Sequence, residues 1–145
     1  MEARTILLVD DDRDLVMSME AFLSARGYVV VKAHNGKEAY ARIIEKRPDL
    51  IVLDVMMDYD EEGMVFASAL KTDGPTRDIP IIMLSGFNVQ KDVREKVIAS
   101  LMGQDWPSDV FMEKPVRLGE LAERIEALLQ EHDAGRKPRP EKEDA

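Results

Sequence analysis

Asp10, Asp11 and Asp12 stand in a row near the start of this chain of 145 residues, and Asp54, Ser85 and Lys114 follow at wide spacing. Each of these positions closes a short apolar run: "TILLV" runs into the three acids, "LIVL" into Asp54, "IPIIML" into Ser85, and "DVFME" into Lys114 and Pro115. A carboxylate at the end of a buried run is costly unless it lies at an exposed tip or has a partner. Several carboxylates at one edge repel each other, and the remedies are protonation of some of them or a bound cation. An all-oxygen site with few protein ligands suits Mg²⁺. Lys114 adds a fixed positive charge and Ser85 a hydroxyl donor. A cation, an ammonium and a hydroxyl around one carboxylate make a receptor for a phosphoryl group, whose transfer needs mainly positioning and neutralisation of oxygen charge. An aspartate can itself be the nucleophile, giving an aspartyl-phosphate.

For these residues to meet, the runs that carry them must lie side by side. Residues 5–9, 28–33, 50–54, 79–85 and 109–114 read as strands buried on both faces. Segments of helical period lie between them. Leu15, Met19, Phe22 and Leu23 share one face, with Gly27 where a C-cap belongs, and Asn35 and Glu38 have capping-box spacing. Residues 63–71 form a third candidate helix. Val93, Val97, Ile98 and Leu101 mark a fourth, and Leu118, Leu121, Ile125, Leu128 and Leu129 a long fifth. Five strands alternating with five helices predict an α/β fold, a doubly wound parallel sheet covered on both faces. In such a sheet, ligands bind beyond the carboxyl ends of the strands at a topological switch point, and that is the end where every candidate residue falls.

Each residue also has a plain reading. Three acids before a helix suit its dipole and its cap. A lone Asp after a strand is commonly a turn residue, Ser85–Gly86 is an ordinary turn pair, and Lys114–Pro115 is a restricted turn. Their joint occurrence at the same end of four strands favours the chemical reading. The absence of cysteine removes disulfides and thiolate metal sites, and the net charge of -9 argues against a nucleic-acid-binding surface. The apolar run near the N-terminus is too short for a signal peptide, and no stretch reaches the length of a membrane span. The expectation is a soluble, cytoplasmic protein with one domain over residues 1–132. Residues 133–145, with four acids, four bases and two prolines, read as a disordered tail.

An acid pair after the first strand, Asp after the third, Ser after the fourth and Lys-Pro after the fifth, in that order, resemble the receiver domain of two-component response regulators. The resemblance runs from about residue 4 to about residue 130. It implies the flavodoxin-like sheet order 2-1-3-4-5. It implies that Asp54 is the phosphoacceptor, that Asp10, Asp11, Asp54 and the Met56 carbonyl hold Mg²⁺, and that Asp12 serves the helix start. It further implies that Lys114 contacts the phosphoryl group, that Ser85 and Phe111 are the switch residues, and that the bond before Pro115 is cis.

The sequence departs from the family pattern in three places. Met57–Asp58 and the acidic run 58–62 replace the usual Met-Pro, and their plainest reading is a solvated acidic loop. Gly86 stands where a small residue is common. Ser85 and Lys114 are 29 positions apart, more than is usual, and the excess lies around 99–109. Trp106 in that stretch is either a partner anchor or a packed loop residue. His34 and His132 have no supporting context for a phosphoryl relay.

The resulting expectation is a single-domain response regulator, not an enzyme in its own right. It would accept phosphoryl groups from a sensor histidine kinase or phosphotransfer protein. It would signal to a downstream protein through the face of the fourth helix, fifth strand and fifth helix, as a monomer or weak dimer. The alternative is a receiver-like interaction module that works without phosphorylation. A haloacid-dehalogenase-type phosphatase would want an acid where Met56 stands. A flavin-binding relative would find three aspartates where it needs a phosphate cradle.

Overall fold

The computed structural model describes residues 3–54, 69–70, 76–85 and 110–134. The described elements are β1 (Thr5–Val9), α1 (Arg13–Ala25), β2 (Val29–Ala33), α2 (Gly36–Glu45), β3 (Leu50–Asp54), β4 (Ile81–Ser85), β5 (Val110–Glu113) and a C-terminal helix, α3 (Leu118–Asp133). They form one sheet, all of whose neighbouring strands are parallel, in the order β2-β1-β3-β4-β5. Both the α/β class and the strand order agree with expectation. Three strands start one or two residues later than their apolar runs. Ala69 and Leu70 are helical, while the rest of the third predicted helix, the fourth predicted helix, Trp106 and the stretches 58–62 and 99–109 lie outside the described residues.

The sheet divides the core by the two-residue period of its strands. Ile6, Leu8, Leu50, Val52, Ile82 and Leu84 point to one side, where they pack with Val16, Met19 and Leu23 of α1 and with Leu121, Ile125 and Leu129 of α3. Leu7, Val9, Ile51, Leu53, Ile81 and Met83 point to the other, against Ala39 and Ile43 of α2. Each central strand has no polar face because both of its faces are covered, which is why the runs are continuously apolar. β2, at the sheet edge, is the exception and exposes Val29 and Lys32.

The helix ends are set locally. Asp12 is the N-cap of α1, its carboxylate accepting from the Leu15 N–H at 3.1 Å. After Ala25, Gly27 takes φ 97°, a left-handed conformation that an L side chain resists. At α2 one arm of the predicted capping box forms, with the Glu38 N–H donating to Asn35 Oδ1 at 2.8 Å. The other arm is displaced by one residue: Glu38 Oε1 accepts the N–H of His34, not of Asn35. α3 continues through Asp133, one residue past the predicted boundary, and residues 135–145 lie outside the described residues. Among the described residues, no helix is long and apolar enough to cross a membrane.

Candidate phosphoryl-accepting site

Register decides which acids meet. β1 and β3 are neighbours with Val9 opposite Leu53, so the next residue on each strand, Asp10 and Asp54, comes to the same point at the carboxyl end of the sheet. The strand order changes direction between these two strands, since β2 lies beyond one and β4 beyond the other. β4 and β5 continue the edge, with Ser85 opposite Glu113, and Lys114 follows immediately.

Of the three consecutive acids, only Asp10 is buried. It is 0% exposed and Asp54 2%, whereas Asp11 and Asp12 face solvent. The Asp10 N–H donates to the Ala33 carbonyl of β2 at 3.2 Å, which pins its backbone to the sheet. Asp10 Oδ1 accepts the Asp12 N–H at 2.9 Å. Carboxylate oxygens of Asp10, Asp11 and Asp54 all lie within 4.8 Å of one another. Lys114 Nζ, 60 residues on from Asp54 in sequence, sits 3.0 Å from Asp10 Oδ2 and 3.3 Å from Asp54 Oδ2. Burial pushes the Lys114 ammonium down, but Asp10 and then Asp54 more than offset this and hold it above the ordinary lysine value.

Among the described residues, one ammonium stands between two buried carboxylates, Asp10 and Asp54. Asp10 Oδ2 is buried and has no hydrogen-bond partner among the described residues beyond its 3.0 Å ion pair with Lys114. Three carboxylate oxygens within 4.8 Å, one of them buried on Asp10, fit a hard divalent cation that prefers oxygen ligands and retains waters. Asp10, Asp11 and Asp54 are the residues that would hold it. Met56, whose carbonyl was expected among the ligands, lies outside the described residues. So do the side chains of Ser85 and Phe111, whose backbones lie on β4 and β5. The Lys114–Pro115 peptide bond is cis.

Two features of the site were not foreseen. Lys114 is shared with Asp10 as well as Asp54, and Asp10 Oδ1 helps to fold the chain into α1 by holding the Asp12 N–H. The first leaves no local signal, because it depends on which strands are adjacent, whereas the second is a local Asx-type contact between residues two apart.

A parallel sheet of this order with acids at its switch point defines the two-component receiver class. The family model of the response regulator receiver domain matches residues 6–126, and the chain belongs to that family. It is 40% identical over 124 residues to the response regulator MprA of Mycobacterium ulcerans, an alignment covering 86% of this chain and 49% of that protein. It is 33% identical over 135 residues to the phosphate regulon transcriptional regulatory protein PhoB of Pseudomonas aeruginosa, covering 93% of this chain and 56% of that protein. The chain thus spans about half the length of the curated relatives it matches. Among solved structures it resembles a CheY-like response regulator receiver domain protein from Methanospirillum hungatei, with a TM-score of 0.77, 26% identity, and coverage of 92% of this chain and 99% of that one.

Proposed function

We propose that this receiver accepts a phosphoryl group on Asp54 in a Mg²⁺-dependent reaction and thereby switches a protein-binding face. The observation that carries the reading is the triad of carboxylates within 4.8 Å, with Lys114 Nζ bridging Asp10 and Asp54. A carboxylate oxygen of Asp54 attacks the phosphorus of a phosphohistidine or a small phosphodonor. The P–N or P–O bond to the donor breaks with its electron pair, the leaving group takes a proton from solvent, and Asp54 becomes an acyl phosphate. Bound Mg²⁺ would neutralise oxygen charge as the phosphoryl group transfers. Lys114 supplies the fixed positive charge on the other side. Asp10, held by the Ala33 carbonyl, keeps its carboxylate aimed at the site.

In this reading the chain is a phosphoacceptor and turns over no external substrate. The donor is a sensor histidine kinase or a phosphotransfer protein, the location is cytoplasmic, and the output is a protein contact near β5 and α3. Ser85 and Phe111 are the switch residues. A receiver that acts without an attached output domain is part of the same proposal, and the size of the protein in its own cells tests it against the longer relatives.

The direct test is intact mass after incubation with a small phosphodonor, with and without Mg²⁺. The expected result is a Mg²⁺-dependent gain of one phosphoryl group that is lost in Asp54→Asn. No gain with a small donor or with a panel of histidine kinases would leave the phosphorylation-independent module as the function.

A further inference from the structure

The start of α2 departs from the usual capping box in one contact, and that contact leads to the acidic site. Glu38 is the third residue of α2, and its N–H donates to Asn35 Oδ1 at 2.8 Å. In a capping box its carboxylate would take the N–H of Asn35 in return. Glu38 Oε1 takes the N–H of His34 instead, at 2.8 Å. His34 Nδ1 lies 3.4 Å from the same oxygen, so the backbone and the ring of His34 converge on one carboxylate. A hydrogen bond to an ionised acceptor is stronger than one between neutral groups.

The His34 N–H and the Ala33 C=O belong to a single peptide unit. That unit is planar, and its N–H and C=O point in opposite directions. Holding one group therefore aims the other. The Ala33 carbonyl accepts the Asp10 N–H at 3.2 Å, a length at the long end of the range for such bonds. Ala33 is the last residue of β2 and pairs with Val9 at the end of the β1–β2 register, so the peptide lies where the sheet ladder stops. A carboxylate on its N–H also polarises the amide and makes the carbonyl a better acceptor. One rigid peptide thus separates Glu38 from the backbone of Asp10. Asp10 is fully buried and carries one of the three carboxylates within 4.8 Å, whereas Glu38 is not a member of that cluster. Mg²⁺ demands near-ideal ligand geometry, so the aim of Asp10 bears on affinity.

We propose that Glu38 is a positioning residue for the cation site. Through the peptide joining Ala33 and His34 it fixes the Asp10 backbone, and it thereby sets the affinity of the carboxylate cluster for Mg²⁺. The inference rests on the reading of Asp10, Asp11 and Asp54 as Mg²⁺ ligands.

The test is a Mg²⁺ titration of the ¹⁵N-labelled full chain, followed at the amides of residues 10–12, with hydrogen exchange of the Asp10 amide measured without metal. Removing a group that directly orients a metal ligand costs about 10–100-fold in affinity, and Glu38 acts from one link further out, so Glu38→Ala should bind Mg²⁺ about threefold more weakly. Its Asp10 amide should exchange faster than in the wild type. Glu38→Gln keeps an oxygen that can accept the His34 N–H, and should restore most of the affinity and the slow exchange. Asn35→Ala removes the helix cap without touching the His34 N–H. It should lower thermal stability more than Glu38→Ala does and weaken Mg²⁺ less. A Glu38→Gln variant as impaired as Glu38→Ala would assign the effect to long-range charge and overturn the proposal. An Asn35→Ala variant that weakens Mg²⁺ as much as Glu38→Ala would assign it to helix stability, with the same consequence. A wild type that binds Mg²⁺ and a Glu38→Ala variant that binds equally well overturn this inference alone. A wild type that does not bind Mg²⁺ overturns the functional reading and this inference with it.

Discussion

Replacing Lys114 with Met tests whether one ammonium holds the acidic site together. At an effective dielectric of about 20, the contacts of 3.0 and 3.3 Å each correspond to about 5 kcal/mol of attraction. Carboxylate oxygens within 4.8 Å repel by about 3.5 kcal/mol or more on the same scale. These are gross Coulomb energies. Removing one partner of a buried ion pair has a net cost of about 3–5 kcal/mol, and the 20% exposure of the Lys114 side chain places the expected loss near the lower end. Urea denaturation at neutral pH in the presence of a chelator should show the variant about 3 kcal/mol less stable. Two further results follow from the same geometry. Added Mg²⁺ should stabilise K114M more than the wild type, because the cation restores the missing charge. Adding Asp54→Asn to K114M should recover about 1–3 kcal/mol by removing one of the repelling carboxylates. A K114M protein as stable as the wild type without metal, or unaffected by the second substitution, would refute the electrostatic account.

Three other outcomes are expected. The Glu38 carboxyl is held below its usual range, first by the His34 backbone N–H and then, against a small burial effect, by the His34 side chain. Its contribution is present above the unfolded-state value and is lost as pH falls through the lower folded one. Being exposed, it is worth a few tenths of a kcal/mol, so Glu38→Gln should slightly flatten the stability profile below about pH 4.5. Arg4 pairs with Asp133 across the sheet end and also lies 3.9 Å from Asp49. An acid in the last turn opposes the helix dipole, so Arg4→Asp should speed amide exchange in the last turn of α3, and Arg4→Asp/Asp133→Arg should restore much of the protection. Ile125 is fully buried between α3 and the sheet, and Ile125→Ala should lower stability by about 2–5 kcal/mol in urea without abolishing phosphorylation of Asp54.

Much of the framework was legible because its causes are local. Residues 6–9 and 50–53 are apolar without alternation, as strands covered on both faces must be. Asp12 and Asn35 cap their helices with their own side chains, and Gly27 ends α1 because it tolerates a positive φ. The carboxyl-terminal position of each polar residue could also be read directly, since every strand runs from an apolar stretch into one.

Residue type and spacing alone did not distinguish which of three identical neighbours does which task; only the family resemblance assigned Asp12 to the helix start, where the structure has it as the N-cap of α1. Asp10, Asp11 and Asp12 differ only by position, and it is the pairing of Val9 with Leu53 that buries the first, leaves the second at the rim and frees the third to cap α1. The link from Lys114 to Asp10 crosses β3 and β4, and the link from Arg4 to Asp133 joins the first strand to the last helix. Strand order and register set these contacts, and both are products of how two apolar faces close around one sheet. Residue types and their order determined the chemistry available to this protein. Only the packed sheet decided which charges face each other and are therefore able to act together.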